Sequence, residues 1–309
     1  MIVVTGGAGF VGSNLIAGLE AAGRKGLVVC DRLGGAAKWR NIAKRDIATI
    51  IAPGELMAFL EDTGAPIEAV FHLAEDADDA DADVDALLQA NYHASAELWA
   101  WCAGNGVRLI YCSTAETYGD GADGFEDDIA EAALARLKPG SAIGWTRHLF
   151  DRAVARTVAA GARCPPQWAG LKLFDPYGPN EYHRGAKASL PLKAWRGAAR
   201  LPDARRDYIW IGDCVAVMIW LLDNPRISGL FNLGTGQARG TAEVTAAVAP
   251  EREFELCPAP SHGGDGYQYY TQASMTRLRG AGYDAPLTPL DDGVARYLGD
   301  FLAREDPYL

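Results

Sequence analysis

The chain has 309 residues, of which 49% are hydrophobic and 22% charged, and its formal net charge is −11. This length and balance fit one large α/β domain with a smaller appendage, and the acidic charge argues against nucleic acid or an anionic membrane as a partner. No apolar run approaches the length of a membrane span, and Met1 leads straight into the first strand, which predicts no signal peptide and a cytoplasmic protein. The six cysteines (Cys30, Cys102, Cys112, Cys164, Cys214 and Cys257) form no C-x-x-C and have no histidine at metal spacing. They read as buried thiols of a reducing compartment, and no metal site is expected.

Ile2 to Thr5 is a short, β-branched run that reads as a buried strand and leads into Gly6, Gly7, Gly9 and Gly12. From Phe10 and Val11 onward the pattern is that of an amphipathic helix. Gly6-x-x-Gly9-x-x-Gly12 at a strand-to-helix turn is a dinucleotide-binding loop: glycine lets the backbone approach a pyrophosphate, and the helix amino terminus offers it free N–H groups and a positive dipole end. The next apolar run, residues 26–30, ends at Asp31. A carboxylate about 20 residues past the loop can bind the adenosine ribose hydroxyls. Arg32 and Lys38 follow it. Two cations there favour a 2′-phosphate, hence NADP over NAD, the alternative being that they are solvated surface charges. Asp46 and Ile47 are candidates for the adenine edge.

Further along, the pattern alternates: helix 53–63, strand 67–73, helix 84–105, strand 107–113, helix 141–160, strand 168–174. This βαβ series predicts a Rossmann-type, doubly wound parallel sheet. We expect a dinucleotide-binding domain over 1–170 and a substrate-binding lobe over 171–309, interleaved with the last sheet strands. In the second half a helix is expected at 215–224, a strand near 230–233 and a helix at 291–304. Residues 75–85 carry seven carboxylates, including Asp83 and Asp85. They fit a solvated loop and helix start, or the rim of a substrate mouth. The run lacks the glycine and terminal glutamate of an EF-hand.

The chain resembles the extended short-chain dehydrogenase/reductase family, and more closely its ADP-L-glycero-D-manno-heptose 6-epimerase branch. The resemblance runs from Met1 to about Leu302 and is carried by MIVVTGGAGFVGSN, FHLA (71–74), ANYHASAEL (90–98), YCSTAETYG (111–119), YGPNEYHRG (177–185), RDYIWIGD (206–213) and GLFNLGTG (229–236). It implies bound NADP, with Leu73, Ala74 and Asn91 beside it, and a sugar-nucleotide substrate held by Asp175, His183, Arg206 and Tyr267. It also implies a homo-oligomer. The implied reaction moves hydride from sugar C6 to nicotinamide and back to the other face. It uses the tyrosine of Y-x-x-x-K as base and a second lysine across the sugar.

Those acid/base positions are changed here. The register fixed by Leu149-Phe150-Asp151 puts the tyrosine position on Ile143 and the lysine position on Arg147, while the second lysine falls on Arg184. Isoleucine cannot transfer a proton, and arginine stays protonated. The hydroxyl position survives as Thr114. Glu116, Tyr118, Tyr182 and His183 are titratable replacements. Thr114 followed by Glu116 resembles the S-T-D-E-x-Y-G of sugar-nucleotide dehydratases, with Ala115 where that motif has aspartate. The stretch from Trp195 to Arg206 is also shorter than in the family. The candidate catalytic set is therefore Thr114, Glu116, Arg147 and Arg184. Two functions stay open: an NADP-dependent sugar-nucleotide epimerase with a rebuilt acid/base set, or a non-catalytic NADP-binding subunit or sensor.

Overall fold

The computed structural model describes residues 1–35, 37–74, 83–258 and 267–309. The first six strands are β1 (Ile2–Thr5), β2 (Leu27–Cys30), β3 (Thr49–Ile51), β4 (Ala69–His72), β5 (Arg108–Thr114) and β6 (Trp168–Leu173). Then come β7 (Asp175–Tyr177), β8 (Arg200–Pro202), β9 (Arg205–Arg206), β10 (Tyr208–Trp210), β11 (Gly229–Leu233), β12 (Arg239–Gly240) and β13 (Glu255–Cys257). Seven of them form one parallel sheet in the order β11-β6-β5-β4-β1-β2-β3. The strand order reverses between β1 and β4, and in such sheets the crevice beyond the carboxyl ends at that point is where ligands bind.

Alternation along the strands explains why both faces are covered. Ile2, Val4, Val29, Phe71 and Ile110 point into one core with Leu15 and Ile16 of α1 (Phe10–Ala21) and with Cys214 and Met218 of a later helix (Ile211–Asp223). Val3, Val28, Val70, Leu109 and Tyr111 point into the other core. There they meet Leu60 of α2 (Leu56–Asp62) and Leu98 and Trp99 of α4 (Ala94–Asn105). Phe150 and Val154 of α6 (Ala142–Ala159) join the same core. The short helices α3 (Val84–Leu88) and α5 (Glu131–Leu134) precede α4 and α6. Between α3 and α4, residues 89–93 wind as one π-helical turn, a local irregularity frequent at functional sites.

Residue 170, where the sequence suggests a division, lies inside β6, and β11 returns from the second half to pair with that strand. The rest of the second half builds three two-stranded sheets, β7–β10, β8–β13 and β9–β12. Its helices are α7 (Leu190–Trp195), α8 (Ile211–Asp223), α9 (Thr241–Val248), α10 (Thr276–Gly280) and α11 (Leu290–Arg296). Among the described residues no helix is long and apolar enough to cross a membrane.

One buried polar cluster supports the carboxyl end of β5. Lys172 and Asp151 are fully buried and pair at 2.8 Å. Asp151 also accepts from the Ser113 hydroxyl at 2.8 Å and the Tyr111 hydroxyl at 3.3 Å. Lys172 donates to Thr117 Oγ1 at 2.5 Å, and that hydroxyl donates to the Thr114 carbonyl at 2.9 Å. Removing one member of a buried ion pair leaves the other charge without compensation. Lys172→Met is therefore expected to cost about 3–5 kcal/mol in urea unfolding, and a loss below about 1 kcal/mol would show that the pair is not what holds this turn.

Candidate active site

The glycine loop occupies the crevice at the carboxyl end of β1. Gly6 has φ +67°, and a Cβ there would stand 2.7 Å from the Ala74 nitrogen and the Leu73 carbonyl oxygen. A Cβ on Gly12 would overlap the Gly6 carbonyl and reach within 2.7 Å of the Gly7 Cα. Leu73 and Ala74 are held against the loop by Thr5, whose carbonyl accepts from Leu73 N–H at 3.1 Å and whose Oγ1 accepts from Ala74 N–H at 3.2 Å. Helix α1 starts on this loop with Gly9 as its cap and has no acidic side chain in its first turn. The free amides of that turn therefore face the crevice with no fixed anion to oppose a phosphate. A backbone cradle that a Cβ would fill, at a helix amino terminus, fits a dinucleotide pyrophosphate.

Asp31, just beyond β2, braces this loop. Its Oδ2 accepts from Ala8 N–H at 2.8 Å and its Oδ1 from Lys38 at 2.6 Å. Lys38 also donates to the Arg32 carbonyl at 3.1 Å, while the Arg32 side chain is exposed beside it. Asn41, a buried residue, donates to the Ala8 and Asn180 carbonyls at 2.9 and 3.0 Å and lies 3.3 Å from His183 Nδ1. Burial, reinforced by Lys38 and Arg184, pulls the His183 imidazole down to about 4, so it is neutral at pH 7. The expectation for Asp46 and Ile47 does not fit this geometry. Asp46 pairs with Lys25 at 3.0 Å, ahead of β2, and Ala48 N–H bonds to Leu27 at the start of that strand. Both residues thus lie at the amino end of the sheet, away from Asp31. The neighbour of Asp31 is the end of β3, where the Ile51 carbonyl accepts from Asp31 N–H at 3.1 Å.

At the end of β5, Thr114 Oγ1 accepts from Glu116 N–H at 3.2 Å, which leaves its proton for an oxygen in the crevice. The Ser141 hydroxyl donates to Glu116 Oε2 and accepts from Gly144 N–H at 3.0 Å, so it joins the carboxylate to the amino terminus of α6. Ile143 is half-buried on the same first turn. Arg147 is buried one turn further on. Its two amino groups donate to the Cys112 carbonyl at 3.2 Å and the Ala74 carbonyl at 2.6 Å, tying the ends of β5 and β4 together. Asn91, on the π-turn, donates to Thr146 Oγ1 of α6 at 3.2 Å. Tyr118 is buried, donates to Asn232 at 2.7 Å and has its phenol pushed up by burial. Tyr182 donates to the Pro307 carbonyl at 2.8 Å. Both tyrosines act in packing.

The facing wall comes from the second half of the chain. Arg206 of β9 pairs with Asp175 of β7 at 2.9 Å, and its guanidinium carbon lies 5.0 Å from the centre of the half-exposed Tyr267 ring. Burial pushes the Asp175 carboxyl up against the opposing pull of Arg206. Gln268 donates to the Ala115 and Gly119 carbonyls at 2.9 and 2.6 Å, which joins the Tyr267 segment to the turn that carries Glu116. Arg184 stands with its guanidinium carbon 5.5 Å from the centre of the Phe10 ring on the glycine-loop side. Arg184 thus stands with Phe10 on the glycine-loop side, and Arg206 with Tyr267 on the side joined through Gln268 to the Glu116 turn. Residues 75–82 of the acidic run lie outside the described residues. Of the remaining acids, Asp83 caps α3 by accepting from Asp85 N–H at 3.0 Å.

Three contributors are absent from the motif-based set. Ser141 opens the helix expected at 141–160, but no local pattern marks it as a partner of Glu116. Gln268 is a long-range tether with no local pattern. Lys193 of α7 is half-buried among Arg184, Glu181, Arg206 and Asp175, and burial, then Arg184, lowers its pKa.

The profile of the NAD dependent epimerase/dehydratase family matches residues 2–234. Over its full length the chain is 38% identical to an ADP-L-glycero-D-manno-heptose-6-epimerase of Nitratidesulfovibrio vulgaris strain DP4, and 32% identical to one of Fusobacterium nucleatum, with all of each relative covered. The fold is similar to that of the Helicobacter pylori ADP-L-glycero-D-manno-heptose-6-epimerase, with a TM-score of 0.76 at 23% identity over 97% of this chain and 95% of that one. It is also similar to the UDP-glucose 4-epimerase of Thermus thermophilus in complex with NAD, with a TM-score of 0.75 at 24% identity over 96% and 99%. The intact glycine loop, the sheet order and these full-length matches agree: the chain belongs to the NAD dependent epimerase/dehydratase family.

Proposed function

We propose that the protein is a sugar-nucleotide epimerase that uses NADP and has a rebuilt acid/base set, with Glu116 in the role that tyrosine has in Y-x-x-x-K. The observation that carries this reading is the Glu116–Ser141 contact beside Thr114. It puts a carboxylate and a free hydroxyl proton together at the end of β5, where Ile143 offers no proton chemistry. The cofactor supplies a reversible hydride acceptor. Phe10, Val11 and Gly12 meet its pyrophosphate, Asp31 and Lys38 its adenosine ribose, and Leu73, Ala74 and Asn91 line its path toward Thr114. Thr114 donates to the reacting oxygen, and Glu116 takes the proton from it. Asp175, Arg206 and Tyr267 hold the nucleotide side of the substrate, with His183 near the adenosine end. The curated relatives suggest ADP-D-glycero-D-manno-heptose as the first substrate to test.

The position of Lys38 supports NADP. A carboxylate at Asp31 would repel a 2′-phosphate, but Lys38 already neutralises it, and Arg32 adds a second cation alongside. Replacing both Arg32 and Lys38 by alanine removes charge-assisted bonds worth about 1.5–3 kcal/mol each, so NADP affinity should fall by roughly 10²-fold or more, and by more than NAD affinity does. Calorimetric titration of both nucleotides checks this, and tighter binding of NAD than NADP by the unaltered protein would overturn the assignment.

With NADP and ADP-D-glycero-D-manno-heptose supplied, turnover should be lower than in a relative with the tyrosine and lysine intact. Glu116→Gln should lower kcat by a further ~10²-fold or more, the low end of a general acid–base contribution, with NADP affinity kept. Unchanged turnover in that variant would remove Glu116 from the mechanism. One observation favours the second reading, a non-catalytic NADP-binding subunit. Both Arg147 amino groups are occupied by backbone carbonyls, so this residue serves structure rather than chemistry. NADP binding with no turnover in the unaltered protein would establish that reading.

A further inference from the structure

A circuit of hydrogen bonds joins the ends of β1 and β4 to α4 and α6, and a histidine that the proposed chemistry does not use stands in its middle. His72, the last residue of β4, is buried. Its Nδ1 lies 2.7 Å from Thr5 Oγ1 and its Nε2 lies 2.8 Å from Ser95 Oγ. Thr5 Oγ1 accepts from Ala74 N–H at 3.2 Å, and Ser95 donates to the Asn91 carbonyl at 2.8 Å. Asn91 Nδ2 donates to Thr146 Oγ1 at 3.2 Å, and the next residue, Arg147, donates to the Ala74 carbonyl at 2.6 Å. The circuit thus returns to the residue it started from. Ala74 is gripped at both its N–H and its carbonyl, and it lies directly against the glycine loop, where a Cβ on Gly6 would stand 2.7 Å from its nitrogen.

The donors and acceptors allow one arrangement. A hydroxyl has a single proton, and that of Ser95 goes to the Asn91 carbonyl, which can only accept. Ser95 Oγ must therefore accept from His72, so the imidazole carries its proton on Nε2. Nδ1 is then an acceptor and takes the Thr5 hydroxyl proton, which leaves the Thr5 oxygen to accept from Ala74. Burial, then the Arg147 guanidinium, pulls the imidazole down to about 3, so it is neutral at pH 7. Neither ring nitrogen is left for a ligand. The carbonyl that Ser95 takes belongs to the π-helical turn 89–93, so His72 also anchors that turn to β4.

We infer that His72 is a positioning residue for the nicotinamide half of the cofactor, holding the Ala74 peptide and the Asn91 turn at a set spacing through one fixed tautomer. This rests on the dinucleotide reading above, in which Ala74 and Asn91 line the path toward Thr114. The adenosine end is braced separately, through Asp31, Lys38 and Ala8. Loss of the imidazole therefore loosens one half of the cofactor and not the other.

His72→Leu removes both ring bonds and keeps an apolar side chain in the space. In calorimetric titration it should weaken NADP by roughly tenfold or more, the effect of one or two lost hydrogen bonds whose partners stay buried, and change adenosine 2′,5′-bisphosphate, which lacks the nicotinamide half, by less than about twofold. His72→Gln, which keeps a donor for Ser95, should recover part of the loss. Equal weakening of both ligands would make the role one of general stability, and an unchanged NADP affinity would remove His72 from the site; either result overturns the inference. A second readout needs no variant: NMR of the unaltered protein labelled with 15N-histidine should find the His72 ring protonated on Nε2 and unchanged between about pH 5 and 8. A proton on Nδ1, or titration in that range, would overturn the inference as well. An unaltered protein that bound neither nucleotide would instead overturn the dinucleotide reading, and this inference with it.

Discussion

The Asp31 carboxylate holds together three parts of the chain that the dinucleotide crevice needs in register. It accepts from the Ala8 amide in the glycine loop and from Lys38, while its own N–H bonds to the end of β3. The loop has little side-chain packing of its own, because its glycines exist to let backbone meet backbone. An unpaired buried amide at Ala8 would cost about 1–3 kcal/mol, so this one carboxylate decides whether the turn is shaped before a ligand arrives. Asn41 adds to the same brace by bonding to the Ala8 carbonyl and to the 180–184 loop. The binding edge of the first half is thus joined directly to a wall supplied by the second.

The site keeps positive charge where the resembling motif has lysines, but a guanidinium stays protonated near neutral pH and cannot serve as a base. Arg147 has a longer, forked head than a lysine, and it reaches two strand ends at once. It therefore acts as a clamp for β4 and β5. Beneath it, the Lys172–Asp151 pair holds the turn through Thr117 and Thr114. The proton-transfer role proposed for Glu116 fits a site whose cations close to Thr114 serve structure. What made the tyrosine position dispensable, in the proposed mechanism, is that the carboxylate is presented from the other side of the α6 amino terminus.

The strands and helices of the first half were legible because both periodicities are strong there: β1, β2 and β4 are fully buried apolar runs, and α1, α4 and α6 alternate with them. β3 was not legible. It is three residues long, sits at the sheet edge, and leaves Thr49 and Ile50 exposed, so neither burial nor alternation marks it. Asp46 and Ile47 precede this strand, at the amino end of the sheet. In the candidate site, Gly6, Gly12, Asp31 and Lys38 could be read from spacing because loop geometry is local. Gln268 could not, since its two bonds cross about 150 residues of chain. Glu116 was visible as a residue type, but its link to Ser141 becomes visible only when the β5 end and the α6 cap are set side by side.

The central claim is that a hydride can leave and return at one sugar carbon in a site without the tyrosine and lysine pair. The direct measurement is the fate of deuterium placed at C6 of ADP-D-glycero-D-manno-heptose, incubated with the NADP-loaded protein and followed by NMR and mass spectrometry. The C6 epimer is expected to form and to keep its deuterium, since the hydride that leaves is the one that returns. An epimer that has exchanged its label for solvent hydrogen, or no epimer from a protein that binds both ligands, would contradict it.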